Sequence, residues 1–105
     1  MTYRYWFMFR VADVGDDTER RQSIYDAMLA PKPKPSYWFE PTSSGFIESE
    51  LISALFVRSV TRKLVGSIDL FLVGDINNPG NAAYFGNVQL PNVLKHFLPL
   101  AVKVT

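Results

Sequence analysis

TYRYWFMFRVAD, residues Thr2 to Asp13, alternates with a period of two: Tyr3, Tyr5, Phe7, Phe9 and Val11 fall on one side, Arg4, Trp6, Met8 and Arg10 on the other. The first set is aromatic or aliphatic throughout and reads as core. The second is half apolar and half cationic, which suits neither a dry interior nor free solvation, so something should cover it. Asp13 closes the strand, and Gly15, Asp16 and Asp17 read as a turn leading into a helix.

Asp16 and Glu19 have the three-residue spacing of a capping box, in which each side chain satisfies an otherwise unpaired backbone donor. The spacing predicts a helix from there, with Ile24, Ala27 and Met28 inward, Tyr25 alongside, and Pro31 ending it near Ala30. PKPKP, Pro31 to Pro35, reads as a stiff, extended helix-to-strand connector, since alternate residues lack a backbone donor. A proline-rich ligand is its sharper reading. In SYWFEP, Tyr37 and Phe39 alternate with Trp38 and Glu40 as in a strand that Pro41 confines to an edge or a turn. A bend near Thr42 to Gly45 leads to a returning strand over Phe46 to Ser49, or to the continuation of one bent strand.

Ser49 can cap a second helix whose inward stripe is Leu51, Ile52, Leu55, Phe56, Val60 and Leu64, with Arg58, Arg62 and Lys63 at its far end and Gly66 terminating it. SIDLFLVGDI, Ser67 to Ile76, is the second strong strand: Ile68, Leu70 and Leu72 form its pure apolar face, Asp69, Phe71, Val73 and Asp75 its mixed one. NNPG, Asn77 to Gly80, is a turn. AAYFGN reads as a loop, LPNVLKHFLP as a short helix bounded by Pro91 and Pro99, and LAVKV as a final strand that pairs with its own sheet or, by preference, a partner's edge.

A chain of 105 residues, 48% hydrophobic and 20% charged, is long enough for one domain with a single core. A net charge of +1 excludes nucleic-acid binding by bulk charge and leaves only local patches. With no cysteine there is no thiolate nucleophile and no cysteine-held metal. Arg4 and Arg10 interrupt the aromatic N-terminus, so no membrane helix is expected there; the reading is a cytoplasmic, unanchored protein. No GxGxxG, Walker A, HExxH or GxSxG pattern occurs, and the lone His96 has no catalytic context.

The element order predicts an α+β, ferredoxin-like β-α-β-β-α-β domain over residues 1–88: an antiparallel sheet with two helices on one face, followed by a C-terminal extension over 89–105 that could complete a dimer. Trp6, Met8, Trp38, Phe71 and Val73 are then expected on the open face, which a homodimer would cover.

Several features resemble the small ferredoxin-fold family of the CRISPR adaptation nuclease and its stand-alone, SinR-like relatives. They are a first strand ending in Asp13, the Asp16/Asp17 pair, Arg20 and Arg21 at the start of the first helix, a tryptophan-bearing second strand and a VGD-like last strand. SYWFEPTSSGFIES and AAYFGN are more like the stand-alone members, and the resemblance spans about the first 88 residues in element order. It implies a dimer and, in some members, metal-dependent cleavage of RNA or DNA. Asp13 would hold Mg²⁺, one aspartate from each protomer, and Arg20 and Arg21 would steady a phosphate. Against this, turn formation and capping account for all three aspartates without a metal.

Three functions follow. The first is a structural or regulatory homodimer joined through Arg4, Trp6, Met8, Arg10, Trp38 and Phe71. The second is a Mg²⁺-dependent nuclease with Asp13 catalytic. The third is an RNA-binding module that stacks bases on the same aromatics, although SGFIE offers one aromatic where the RNP1 pattern needs two.

Overall fold

The computed structural model describes residues 1–29 and 37–105, so the reading of Pro31 to Pro35 lies outside the described residues. The alternating stretch forms β1 (Tyr3–Arg10), and the helix expected after it forms α1 (Asp17–Leu29). Then come β2 (Tyr37–Trp38), β3 (Ser44–Ser49), α2 (Ser53–Val60), β4 (Leu70–Asp75), β5 (Ala82–Gly86), α3 (Pro91–Phe97) and β6 (Val102–Lys103). The strands make one sheet in the order β2-β3-β1-β4-β5-β6. Among the described residues the chain is thus α+β, with six strands and three helices: the four strands and two helices expected of the core, the short helix and final strand expected after it, and one further strand, β5. The sheet is antiparallel except for β5 and β6, which run parallel.

The core lies between one sheet face and the helices α1 and α2. Tyr5, Phe7 and Phe9 project from β1 and Phe71 and Val73 from β4, meeting Ile24 and Met28 of α1 and Phe56, Val57 and Val60 of α2. Phe71 stacks on Phe7 and on Phe9, each at 6.1 Å between ring centroids, and is fully buried. Burying a side chain of this kind contributes roughly 1.5–3 kcal/mol, so the aromatic row on β1 is the main reason the sheet closes on its helices.

The placement of Phe71 and Val73 reverses the expected facing of β4. Phe71 belongs to the core and not to the opposite face, where Leu72 stands beside Met8 and Tyr84. The expectation failed because β4 is apolar on both sides and aspartates flank its inward face. Both are buried and have partners: Asp69 accepts from the backbone N–H of Ala12 and Val65 and from Arg20, and Asp75 accepts from Asn77 N–H and Asn81 Nδ2. Satisfied this way, a carboxylate can occupy a face otherwise made of phenylalanine and valine.

Three further expectations are corrected. AAYFG is a strand, β5, paired along β4 from Leu70↔Gly86 to Gly74↔Ala82. The second helix begins at Ser53 with Ile52 at its N-cap, so Ser49 does not cap it, and Leu51, Ile52 and Leu55 are exposed. Instead the Ser49 hydroxyl accepts from Leu51 N–H inside the preceding turn. The last strand joins its own sheet: Val104 N–H donates to the Tyr84 carbonyl, and the Val104 side chain enters the core, leaving no free strand to lend a partner.

α3 changes the other face of the sheet. β1 to β2 advances toward one edge and β5 to β6 toward the other, each between parallel strands, so right-handed crossovers set α1 and α3 on opposite faces. Tyr84, which shares the face of Leu72, lines a hollow with Pro91, Leu94 and Leu98, as this handedness requires. The face expected to be open is therefore walled along one side. Among the described residues no helix is long and apolar enough to cross a membrane.

Candidate interaction face

The bare half of this face spans β2, β3 and β1. The register aligns Trp38 with Phe46 and Phe46 with Trp6, so three aromatics cross three adjacent strands. Trp38 and Phe46 stack at 5.9 Å and are 44% and 48% exposed, and neighbouring Met8 is 49% exposed. Trp6 is half-buried because its indole lies across β4: a Cβ added at Gly74 would come within 2.3 Å of Trp6 Cζ2. Only glycine opposite it lets the ring lie flat. Shallow hollows flank the aromatic row, one reaching Arg4 and Ile76, the other Met8 and Ser44.

Polar groups around the row are engaged. Arg4 pairs with Glu48 at 3.3 Å, Arg10 donates to the Asn87 carbonyl at 3.1 Å, and the Trp38 indole N–H donates to Glu40. Arg4 is solvent-exposed and Glu48 partly so, so that pair contributes little stability and mainly sets side-chain direction. Of the face residues expected from sequence, Arg4, Trp6, Met8, Arg10 and Trp38 come together here, and Phe71 does not. Phe46 was missed; its alternation with Ile47 along GFIE was the available signal.

The residues expected at a metal or phosphate site lie elsewhere. Asp13 is exposed in the loop after β1. Arg20 is buried and donates four hydrogen bonds: to Asp69, to the carbonyls of Ala12 and Val14, and to Asp16. These bonds fasten the loop that carries Asp13 and leave the guanidinium no solvent face for a phosphate. Arg21 lies over the Phe9 ring at 5.4 Å and donates to Ser43 Oγ. The Asp16 carboxylate, expected as a cap, receives Arg20. Among the described residues no group of three or more His, Cys, Asp or Glu side chains is arranged to hold a metal ion.

A larger hollow, about 590 Å³, lies between α1 and α2, bordered by Asp26, Arg62 and Lys63 with Ser23, Ser59 and Val60. Its opposed charges select no ligand class. No protein-family model, curated protein or solved structure matches this chain.

Proposed function

We propose that this protein is a non-catalytic interaction module, structural or regulatory, whose working unit is a homodimer joined through the bare aromatic half of its sheet. The observation that carries the proposal is the exposed Trp38–Phe46 stack, with Met8 beside it, across β2, β3 and β1. Monomers seldom expose contiguous apolar patches of several hundred Å², whereas interface cores are enriched in aromatics and methionine. A ferredoxin-like plan is in keeping with the element order from β1 to β4 and with the neighbours β2-β3-β1-β4, β5 and β6 being additions at the β4 edge.

Phe46→Asp tests this reading, because the side chain is half exposed and its loss should leave the core intact. The wild type should have the mass of a dimer by light scattering and the variant that of a monomer. A wild type that stays monomeric at high micromolar concentration overturns the proposal.

The second reading is single-stranded nucleic acid stacked on the same row. It is favoured by the side-by-side placement of Trp38, Phe46 and Trp6, which has the geometry of a base-stacking platform. Arg4 and Arg10 would meet phosphates, though each already has a partner in the protein. Tryptophan quenching on titration with an oligonucleotide tests it. The nuclease reading rests on Asp13 alone and requires two copies to bring a second carboxylate.

A further inference from the structure

The apolar surface on this side of the molecule does not end with the aromatic row. Leu90 at the N-cap of α3 and Val93 and Phe97 within it, spaced three and four residues apart, are 66%, 50% and 74% exposed, and Leu100 just beyond is 62% exposed. α3 is docked through its other side, where Leu94 and Leu98 are half-buried around the hollow that Tyr84 lines. One face of the sheet thus carries both an apolar ridge, α3, and a bare aromatic half with shallow hollows beside it.

We infer that in the homodimer α3 of each copy lies on the bare aromatic half of the other. This rests on the dimer reading and specifies which surfaces meet. A two-fold contact must be self-complementary, and a ridge beside a hollow on one face meets that condition: a half-turn about an axis between them sets each ridge over the partner's hollow. Charge agrees. The bare half, strands β1, β2 and β3 with the turns after the last two, carries Glu40, Glu48 and Glu50 against Arg4 and Arg10, with Arg4 paired to Glu48; residues 76–105, which build β5, α3 and β6, carry Lys95 and Lys103 and no Asp or Glu. The arrangement sets the lysine-bearing end of one copy against a half of the other that has a slight acidic excess, whereas ridge against ridge would set lysines against lysines.

Area agrees too. Taking ~150–250 Å² for a whole aromatic side chain and somewhat less for an aliphatic one, the exposed parts of the ridge and of Trp38, Phe46 and Met8 come to roughly 700 Å² per copy. A standard interface takes about 800 Å² from each partner. Neither surface reaches that alone.

The chain has no cysteine, so two can be introduced without background. Phe46→Cys and Phe97→Cys proteins, each checked for native circular dichroism, are mixed and treated with a short bis-maleimide. Reciprocal docking gives a crosslinked dimer in the mixture in several-fold excess over that formed by either protein alone. Crosslinking that is strongest for Phe97→Cys alone places ridge on ridge and overturns the inference while the dimer stands. A Phe97→Asp protein that remains dimeric while Phe46→Asp is monomeric also overturns it, the dimer again standing. A monomeric wild type removes both. If that monomer also shows tryptophan quenching with an oligonucleotide, the aromatic half belongs to nucleic acid.

Discussion

Arg20 Nε lies 3.0 Å from Asp69 Oδ2, with both side chains buried, so that α1 is fastened to the residue just before β4 by an ion pair inside the protein. The pair is embedded in further hydrogen bonds. Asp69 also accepts from Ala12 N–H at 2.9 Å and Val65 N–H at 2.8 Å, and Arg20 reaches the carbonyls of Ala12 and Val14. The turn between β1 and α1 and the end of the connection from α2 to β4 are therefore held by one carboxylate.

Asp69→Ala removes that acceptor and leaves Arg20 Nε and two backbone donors unmatched, while the guanidinium keeps Asp16 and the carbonyls of Ala12 and Val14. Breaking a buried pair from one side costs about 3–5 kcal/mol, a large share of the stability of a small domain. The expected result is a large fall in the urea midpoint, with part of the population unfolded at 37 °C. A shift below about 1 kcal/mol would mean that the pair is not the fastening of this loop.

Burial pushes the Tyr5 hydroxyl up to about 12, against an opposing hydrogen bond from Asn81 and with the neighbouring Asp75 charge adding to the rise. The hydroxyl donates to the Leu51 carbonyl at 2.6 Å and accepts from Asn81 Nδ2 at 3.0 Å. A folded value above the unfolded one near 10 means that the neutral form is favoured by folding. The stability linked to Tyr5 is then fully present below pH 10 and lost as pH rises toward 12. The gap in urea midpoint between wild type and Tyr5→Phe should be constant from pH 7 to 9.5 and close above pH 10; a gap unchanged to pH 12 would contradict this.

Gly74→Ala introduces a methyl where Trp6 Cζ2 would stand 2.3 Å away. The indole must leave the sheet, costing about 1–3 kcal/mol and exposing Trp6 to water. A red shift of tryptophan emission in the Trp38→Phe background, where Trp6 is the only tryptophan, is the expected sign.

Asp13→Ala changes an exposed loop residue and should alter stability by no more than about 0.5 kcal/mol. An interaction module should show no Mg²⁺-dependent cleavage of RNA or DNA in either protein. Cleavage by the wild type that is lost in the variant would move the nuclease reading ahead of the one proposed.

How far the sequence could be read depended on what each stretch encodes locally. β1 was plain because its alternation is unbroken and one of its faces is entirely apolar. α1 was legible from Ile24 and Met28, both buried as expected, and α3 from its bracketing prolines. β4 was misassigned in facing because Leu70 and Leu72 look as core-like as Phe71 and Val73, and partners that alternation does not show, Arg20, Ala12 and Val65 for Asp69 and Asn77 and Asn81 for Asp75, make these carboxylates tolerable inside. β5 was missed since alanine and glycine have weak strand preference; it exists because β4 offers it a full edge. The pairing of β6 is tertiary, set by the path of α3 over the sheet. At the candidate site, Trp6, Met8 and Trp38 followed from alternation, whereas the withdrawal of Phe71 and the arrival of Phe46 and α3 required the register.

Sedimentation velocity of the wild type across low to high micromolar concentration tests the central claim most directly. A species of twice the 11.9 kDa chain mass, dissociating on dilution and absent in Phe46→Asp, is the expected result. A single monomeric boundary for the wild type throughout that range would contradict it.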